Sequence, residues 1–250
     1  MKEFNLAELT VALNEGMEIK AFPAMSVDDF INYYWAKHPR YCFFKGLPFA
    51  AHLLDSGCGS GGLVFWRNYD QPQRDDMVIS GVDLMPDPTY RDRLKDFVCQ
   101  DLNQAMSFES ESFDAVLSSH VIEHIDNRDI YLAELARVLK PSGLVYIECP
   151  SPASALIPPK LTLTAGEHSI KLPISNFFDD STHLSVVTES ELIRGLKKHG
   201  FTIMQYGSIH NEFLAKALIQ AALQHDHIEL ATYGIWLLTA WSHFVIAKKD

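Results

Sequence analysis

From residue 51 onward the chain alternates short apolar or β-branched runs with polar, turn-rich segments. Strands are predicted at 51–55, 78–83, 96–99, 113–118 and 143–149, each bounded by polar or turn residues. Between the last two lies D-N-R-D-I-Y-L-A-E-L-A-R-V-L-K, where Tyr131, Leu135, Val138 and Leu139 share one helical face. Pro141-Ser142-Gly143 supplies the stop and the turn into the next strand. Strands alternating with helical stretches predict an α/β fold, a parallel sheet with helices on both faces.

The flanks change character. S-V-D-D at 26–29 reads as a capping box with Asp in place of Glu or Gln, opening an aromatic helix F-I-N-Y-Y-W-A-K-H that Pro39 follows. Residues 150–187 are irregular, with five of the twelve prolines between 150 and 173, and read as a lid or insertion. T-E-S-E at 188–191 opens a second capped helix that Gly200 ends. A strand at 201–206, an apolar helical stretch at 212–223 and a closing strand W-S-H-F-V-I-A follow, an antiparallel addition to the sheet. The organisation expected is one domain over 1–250. It comprises an N-terminal helical cap (1–48), a core (50–150), the lid (150–187) and a C-terminal helix with closing strands (188–250). The 212–223 stretch is read as core or as the surface of a homodimer.

Composition narrows the partners. Apolar residues make up 47% and charged residues 21%, ordinary for a globular protein. Net charge is -11, without a Lys/Arg run, which argues against a nucleic-acid partner. Cys42, Cys58, Cys99 and Cys149 lie far apart and form no C-x-x-C pair, as expected of reduced thiols in a cytoplasmic protein. The N-terminus has early acids and no long apolar run, so no signal peptide is expected. Tyr233–Trp241, the most apolar window, is about half the length that spans a bilayer, so no membrane span is expected.

The strongest chemical signal is L-L-D-S-G-C-G-S-G-G at 53–62. Gly57, Gly59 and Gly62 satisfy G-x-G-x-x-G, the dinucleotide fingerprint. Glycines let the strand turn sharply and let a ligand approach bare backbone. Asp55, two residues before the first glycine, would lie close to a pyrophosphate laid over this turn, which is unfavourable in a partly dehydrated site. A ligand carrying an ammonium and a sulfonium would instead pair with it. Asp83 ends the next strand, where a carboxylate accepts ribose hydroxyls, and Asp101 ends the third, placed to accept from an adenine amine. Three acids at the tips of three successive strands converge on the crevice where such sheets bind ligands.

Together, L-D-S-G-C-G-S-G (54–61), G-V-D-L (81–84), Q-D-L (100–102), F-D-A-V-L-S-S-H-V-I-E-H-I (113–125) and L-A-R-V-L-K-P-S-G-L-V-Y-I (135–147) resemble the class I S-adenosylmethionine-dependent methyltransferases. T-H-L-S-V-V-T-E-S-E-L-I-R-G-L-K-K-H-G-F (182–201) is similar to a subgroup that modifies small molecules. The resemblance implies a doubly wound, mostly parallel seven-stranded Rossmann-like sheet with an antiparallel last strand. It also implies S-adenosylmethionine as cofactor. Gly57, Gly59 and Gly61 would lie under its methionine portion, with Asp55 near the amino group and the Ser119 backbone facing the methionine end. Asp83 would hold the ribose, Leu84 would pack on the adenine, and Asp101 with Leu102 would frame its other edge. Ser56 departs from the family, which carries an apolar residue or threonine there; little consequence is expected.

His120, Glu123 and His124 spell H-x-x-E-H, a zinc-peptidase signature. A zinc site would need both histidines on one helix face and a distant third ligand, and neither Glu167 nor Asp179 is specified as one. The cluster falls where the resemblance places a loop beside the cofactor, so no metal is expected. A hydroxyl or protonated amine acceptor must lose a proton, and His120 and His183 are the candidates to take it. The function expected is methyl transfer to an oxygen or nitrogen of a small molecule. An NAD-dependent oxidoreductase and a non-catalytic methyltransferase-like binding protein are the alternatives.

Overall fold

The computed structural model describes residues 25–165 and 168–250. The first 24 residues of the expected cap, and Glu167, lie outside the described residues. The chain gathers into two compact units, and each draws on three separate stretches of sequence.

The larger unit holds Pro39–Cys149, Val187–Gly207 and His243–Asp250. Its strands are β1 (His52–Ser56), β2 (Val78–Asp83), β3 (Phe97–Cys99), β4 (Phe113–Ser119) and β5 (Leu139–Pro150), joined late in the chain by Phe201–Ser208 and Ser242–Lys249. The two late strands are β8 and β9, since a hairpin of the smaller unit, described below, supplies β6 and β7. The sheet order is β3-β2-β1-β4-β5-β9-β8. β1 to β5 pair in parallel. β9 runs against its neighbours: Asp250 N–H reaches Gly200 at one end, and Ile209 N–H reaches Ser242 at the other. This is the expected sheet, with the antiparallel strand second from the edge.

Helices cover both faces. α2 (Pro39–Gly46) lies on one face, where Phe43 meets Tyr146 of β5 at 5.4 Å between rings. α3 (Arg128–Val138) and α4 (Glu189–Lys198) lie on the other. There Leu54, Val116, Tyr131, Leu135, Val145 and Leu192 belong to one buried cluster. The sheet's period of two assigns alternate residues of each strand to the two faces. α3 begins at Asn127, whose side chain accepts from Ile130 N–H, and α4 begins at the Thr188–Glu191 capping box that the sequence predicts. Among the described residues, the β1–β2 and β2–β3 crossovers carry only 3₁₀ helices, Gly62–Arg67 and Arg91–Arg93.

The smaller unit holds the described residues up to His38 with Pro150–Val186 and Ser208–Ser242. α1 (Val27–Lys37) opens on the expected capping box, Ser26 with Asp29. Pro39 does not merely end this helix; it starts α2, since the first helical position tolerates a residue without N–H. The stretch read as an irregular lid contains an antiparallel hairpin, β6 (Thr162–Ala165) with β7 (His168–Lys171), in which Leu163 faces Ile170. α5 (Glu212–His225) was expected, but α6 (Ile228–Thr239) was not. A Cβ at Gly234 of α6 would meet Ala215 and Ile219, so the two helices pack at close range. Tyr34 stacks on Tyr233 at 4.2 Å and Trp236 on Trp241 at 4.3 Å. Among the described residues no helix is long and apolar enough to cross a membrane.

Candidate active site

Strand order reverses between β1 and β4, and the turns leaving these two strands frame a crevice at the C-terminal edge of the sheet. A cleft of about 250 Å³ opens there, lined by Gly57, Asp83, Leu84, Asp101, Leu102, Asn103, His120, Val121, His124 and Ile125. Six of the residues expected from sequence therefore share one wall system. Asn103 and Val121 join them as immediate chain neighbours, and His124 and Ile125 from the turn after β4.

The glycine turn is built as its composition requires. Gly57, Gly59 and Gly61 all have positive φ, at 78°, 51° and 76°. A Cβ on Gly57 would run into the Val121 side chain, so the β1 and β4 turns touch. Asp83 bridges the turn to its own strand end. Oδ2 accepts from Gly59 N–H at 2.7 Å and Oδ1 from Met85 N–H at 2.8 Å. Each oxygen retains a second lone pair for a ligand hydroxyl. If the cleft holds the cofactor that the resemblance implies, Asp83→Ala is expected to weaken binding of S-adenosylhomocysteine by roughly 10-fold, about 1.4 kcal/mol, because it removes two acceptor oxygens at the cleft and the brace on Gly59. Calorimetric titration of the folded variant checks this, and unchanged affinity would remove Asp83 from the site.

Across the cleft, Asp101 Oδ1 accepts from Asn103 N–H and Nδ2, and Asn103 Oδ1 accepts from Asp126 N–H. That chain of bonds fixes the loop that carries Leu102. Leu84 is 68% exposed, an apolar side chain held out at the cleft.

Asp55 lies behind the turn and is 6% exposed. Burial pushes its carboxyl up to about 7; the Arg40 guanidinium opposes this and the Asp83 charge adds to it. A buried carboxylate with incomplete charge compensation suits a cationic ligand group.

The expected proton acceptor has another occupation. His120 follows β4 with φ 57°, a left-handed conformation unusual outside glycine. Its Nε2 lies 3.1 Å from Glu148 Oε1 and its Nδ1 3.4 Å from Glu123 Oε1. Burial favours the neutral ring, but the bonds to Glu123 and Glu148, with their charges, outweigh it and raise the pKa to about 9. The surroundings of His120 thus favour its protonated ring. Glu148 also accepts from the Tyr146 hydroxyl at 2.7 Å and faces Arg40 Nε at 3.7 Å, while Arg40 Nη1 donates to Ser119 Oγ at 2.6 Å. Sequence reading missed Arg40, Tyr146 and Glu148, which no spacing connects to the motif. His124 and Glu123 sit in a 3₁₀ turn, Ile122–His124, with His120 outside it. The two histidines of H-x-x-E-H therefore do not share a helical face.

His183 belongs to the smaller unit. Its Nδ1 lies 2.6 Å from Phe177 O, its ring packs on Phe177, and its Nε2 is 3.9 Å from Asp180.

A mostly parallel sheet with a glycine turn after β1 and acids at the next two strand tips is a Rossmann-like arrangement. A family model described as a methyltransferase domain matches residues 27–206, and the chain belongs to that family. It is 31% identical over 102 residues to the mitochondrial ubiquinone biosynthesis O-methyltransferase of Rattus norvegicus, covering 38% of this chain and 29% of the relative. It is 29% identical over 123 residues to the demethylmenaquinone methyltransferase of Tropheryma whipplei, covering 47% of this chain and 49% of the relative. The matched chain thus spans less than half the length of either relative. An S-adenosylmethionine-dependent methyltransferase from Mesorhizobium loti shares the fold with a TM-score of 0.60 at 18% identity, over 84% of this chain and 96% of that one.

Proposed function

We propose that the chain is an S-adenosylmethionine-dependent methyltransferase acting on an oxygen or nitrogen of a small-molecule acceptor. The observation that carries this reading is the cleft over Gly57 with Asp83 and Asp101 at its rim and the buried Asp55 behind it. When bound, the cofactor would supply an electrophilic methyl group on a sulfonium: the acceptor's lone pair would bond to the methyl carbon as the carbon–sulfur bond breaks, the thioether S-adenosylhomocysteine would leave, and the acceptor's proton would pass to solvent. The chain's work is alignment and charge. Asp83 would accept the ribose hydroxyls, and Asp101 the adenine amine. Leu84 and Leu102 would pack on the ring. Gly59 and Gly61 would let the methionine portion lie against bare backbone, with the Ser119 backbone at its far end. Asp55 would pair with the ammonium.

A protonated His120, with Arg40, would offset the charge of Glu148 beside the reacting end. The names of the relatives favour oxygen as the acceptor atom. The literal G-x-G-x-x-G keeps NAD as the comparison ligand.

The test is calorimetric titration with S-adenosylhomocysteine at pH 6.5, in two buffers of different ionisation enthalpy, with NAD run alongside. An ammonium beside Asp55 lowers a pKa that starts near 7, so binding should release a fraction of a proton. Asp55→Asn should bind more weakly without that release. Binding of NAD in place of S-adenosylhomocysteine would overturn the reading.

A further inference from the structure

Ser56 has a partner that its place in the glycine motif does not announce. Its Oγ lies 2.8 Å from the Tyr131 hydroxyl, and Ser118 Oγ lies 2.8 Å from the same oxygen. Ser56 and Ser118 are register partners on β1 and β4, so one phenol on α3 spans two adjacent strands. All three side chains are wholly buried. Ser56, expected from sequence to have little consequence, thus has a buried hydrogen-bond partner. Tyr131, read from sequence as part of an apolar helix face, also carries a polar function at its tip.

The location gives the triad its meaning. Gly57 follows Ser56 directly, and His120 lies two residues beyond Ser118. The turns that leave these strands already touch through Gly57 and Val121. A small change in strand-end spacing would therefore either open the cleft floor or drive the two turns together. The hydroxyl also ties in the first turn of α3, whose Tyr131 N–H bonds back to Asn127 O. Burial raises the phenol's pKa to about 12; the serine bonds lower it, and the Glu123 and Asp55 charges add to the rise. The phenol accordingly keeps its proton at any working pH and can donate to one serine while accepting from the other.

We infer that the Tyr131 hydroxyl is a positioning group for the cofactor cleft, setting the spacing of the β1 and β4 ends by bridging Ser56 and Ser118. This rests on the methyltransferase reading, because the cleft it shapes is the proposed S-adenosylmethionine site. Tyr131 is buried and is not among the residues that line the cleft, so it would act through the two turns.

The experiment compares the intact chain with two variants, using S-adenosylhomocysteine affinity by calorimetry and stability by urea unfolding. Tyr131→Phe strands two buried hydroxyls and should lower stability and weaken affinity about 10-fold. The triple variant Ser56→Ala, Ser118→Ala, Tyr131→Phe strands none and should regain most of the stability. A positioning role requires its affinity to stay about 10-fold weak. Affinity that returns together with stability would reduce the triad to satisfied polar groups and overturn the inference, as would undiminished affinity in Tyr131→Phe. Should the triple variant not fold, Ser56→Val removes one of the two bonds. It should bind about threefold more weakly, and affinity equal to the intact chain would count against the inference. No binding by the intact chain would instead sink the cofactor reading, and this inference with it.

Discussion

Gly57→Ala is expected to abolish measurable binding of S-adenosylhomocysteine and to destabilise the fold by about 2–5 kcal/mol. Two effects add at this residue. Its φ of 78° is open to glycine, whereas a left-handed L-residue costs roughly 1–2 kcal/mol. The new Cβ also falls inside the Val121 side chain, and overpacking of this kind costs typically 1–3 kcal/mol. Relief requires the β1 turn to move away from the β4 turn, which takes the backbone under the proposed methionine site with it. Urea unfolding measures the stability change and calorimetry the binding. Gly59→Ala is the internal comparison: φ there is 51° and nothing lies within 4 Å of its Cβ, so only the backbone cost should appear in stability. Equal stability losses in the two variants would mean that contact with Val121 does not matter.

Glu148→Ala should be the most destabilising change in the larger unit, by about 3–5 kcal/mol, the range for breaking a buried charge pair from one side. It removes the acceptor of the Tyr146 hydroxyl and of His120 Nε2, and the counter-charge of Arg40. Removing both sides is gentler, so His120→Asn combined with Glu148→Gln should recover part of the loss. The same network sets a pH dependence. The folded pKa of His120, about 9, exceeds the unfolded value of about 6.5. The folded state therefore holds the proton more tightly. Its contribution to stability is complete below pH 6.5 and is lost as pH rises through 9. Asp55 has the same sign in a lower window, because its carboxyl is raised from 3.8 to about 7, and folding weakens as pH climbs between those values. Urea unfolding from pH 5 to pH 9.5 should show declining stability throughout, with the upper limb absent in the His120→Asn variant. An upper limb that persists in that variant would place the proton elsewhere.

The sheet and the acids that line the cleft were legible in sequence for one reason: both are local. A strand such as V-I-S-G-V-D announces its own burial, and in a parallel sheet the residue at its tip is already aimed at the crevice. Asp83, Asp101 and Gly57 could therefore be placed in the cleft before any contact was known. What escaped was non-local or lacked contrast. α6 is apolar nearly all round because it packs tightly against α5, so it shows no amphipathic period. The β6–β7 hairpin lies in a proline-rich stretch that composition marks as irregular. The Arg40–Glu148–His120 network joins residues from α2, β5 and the β4 turn, and only folding brings them together. His120 was found, but its protonation depends on Glu148, twenty-eight residues further along the chain. Tyr131 was assigned to the correct face of the correct helix, yet periodicity registers the ring and is blind to the hydroxyl.

The position of β9 bears on how the molecule comes to exist. β5 ends at Pro150, and its neighbour on that side does not begin until Ser242. During synthesis β5 must therefore wait, with one row of backbone N–H and C=O groups unpaired, while the later stretches of the smaller unit, α4 and β8 emerge from the ribosome. β8 waits as well, since its sheet neighbour is also β9. Two open strand edges on a nascent chain are templates for pairing with other chains. Closing them needs a long-range contact, which forms slowly. Completion of the sheet is thus postponed to residues 242–249, and until those residues arrive both edges stay open.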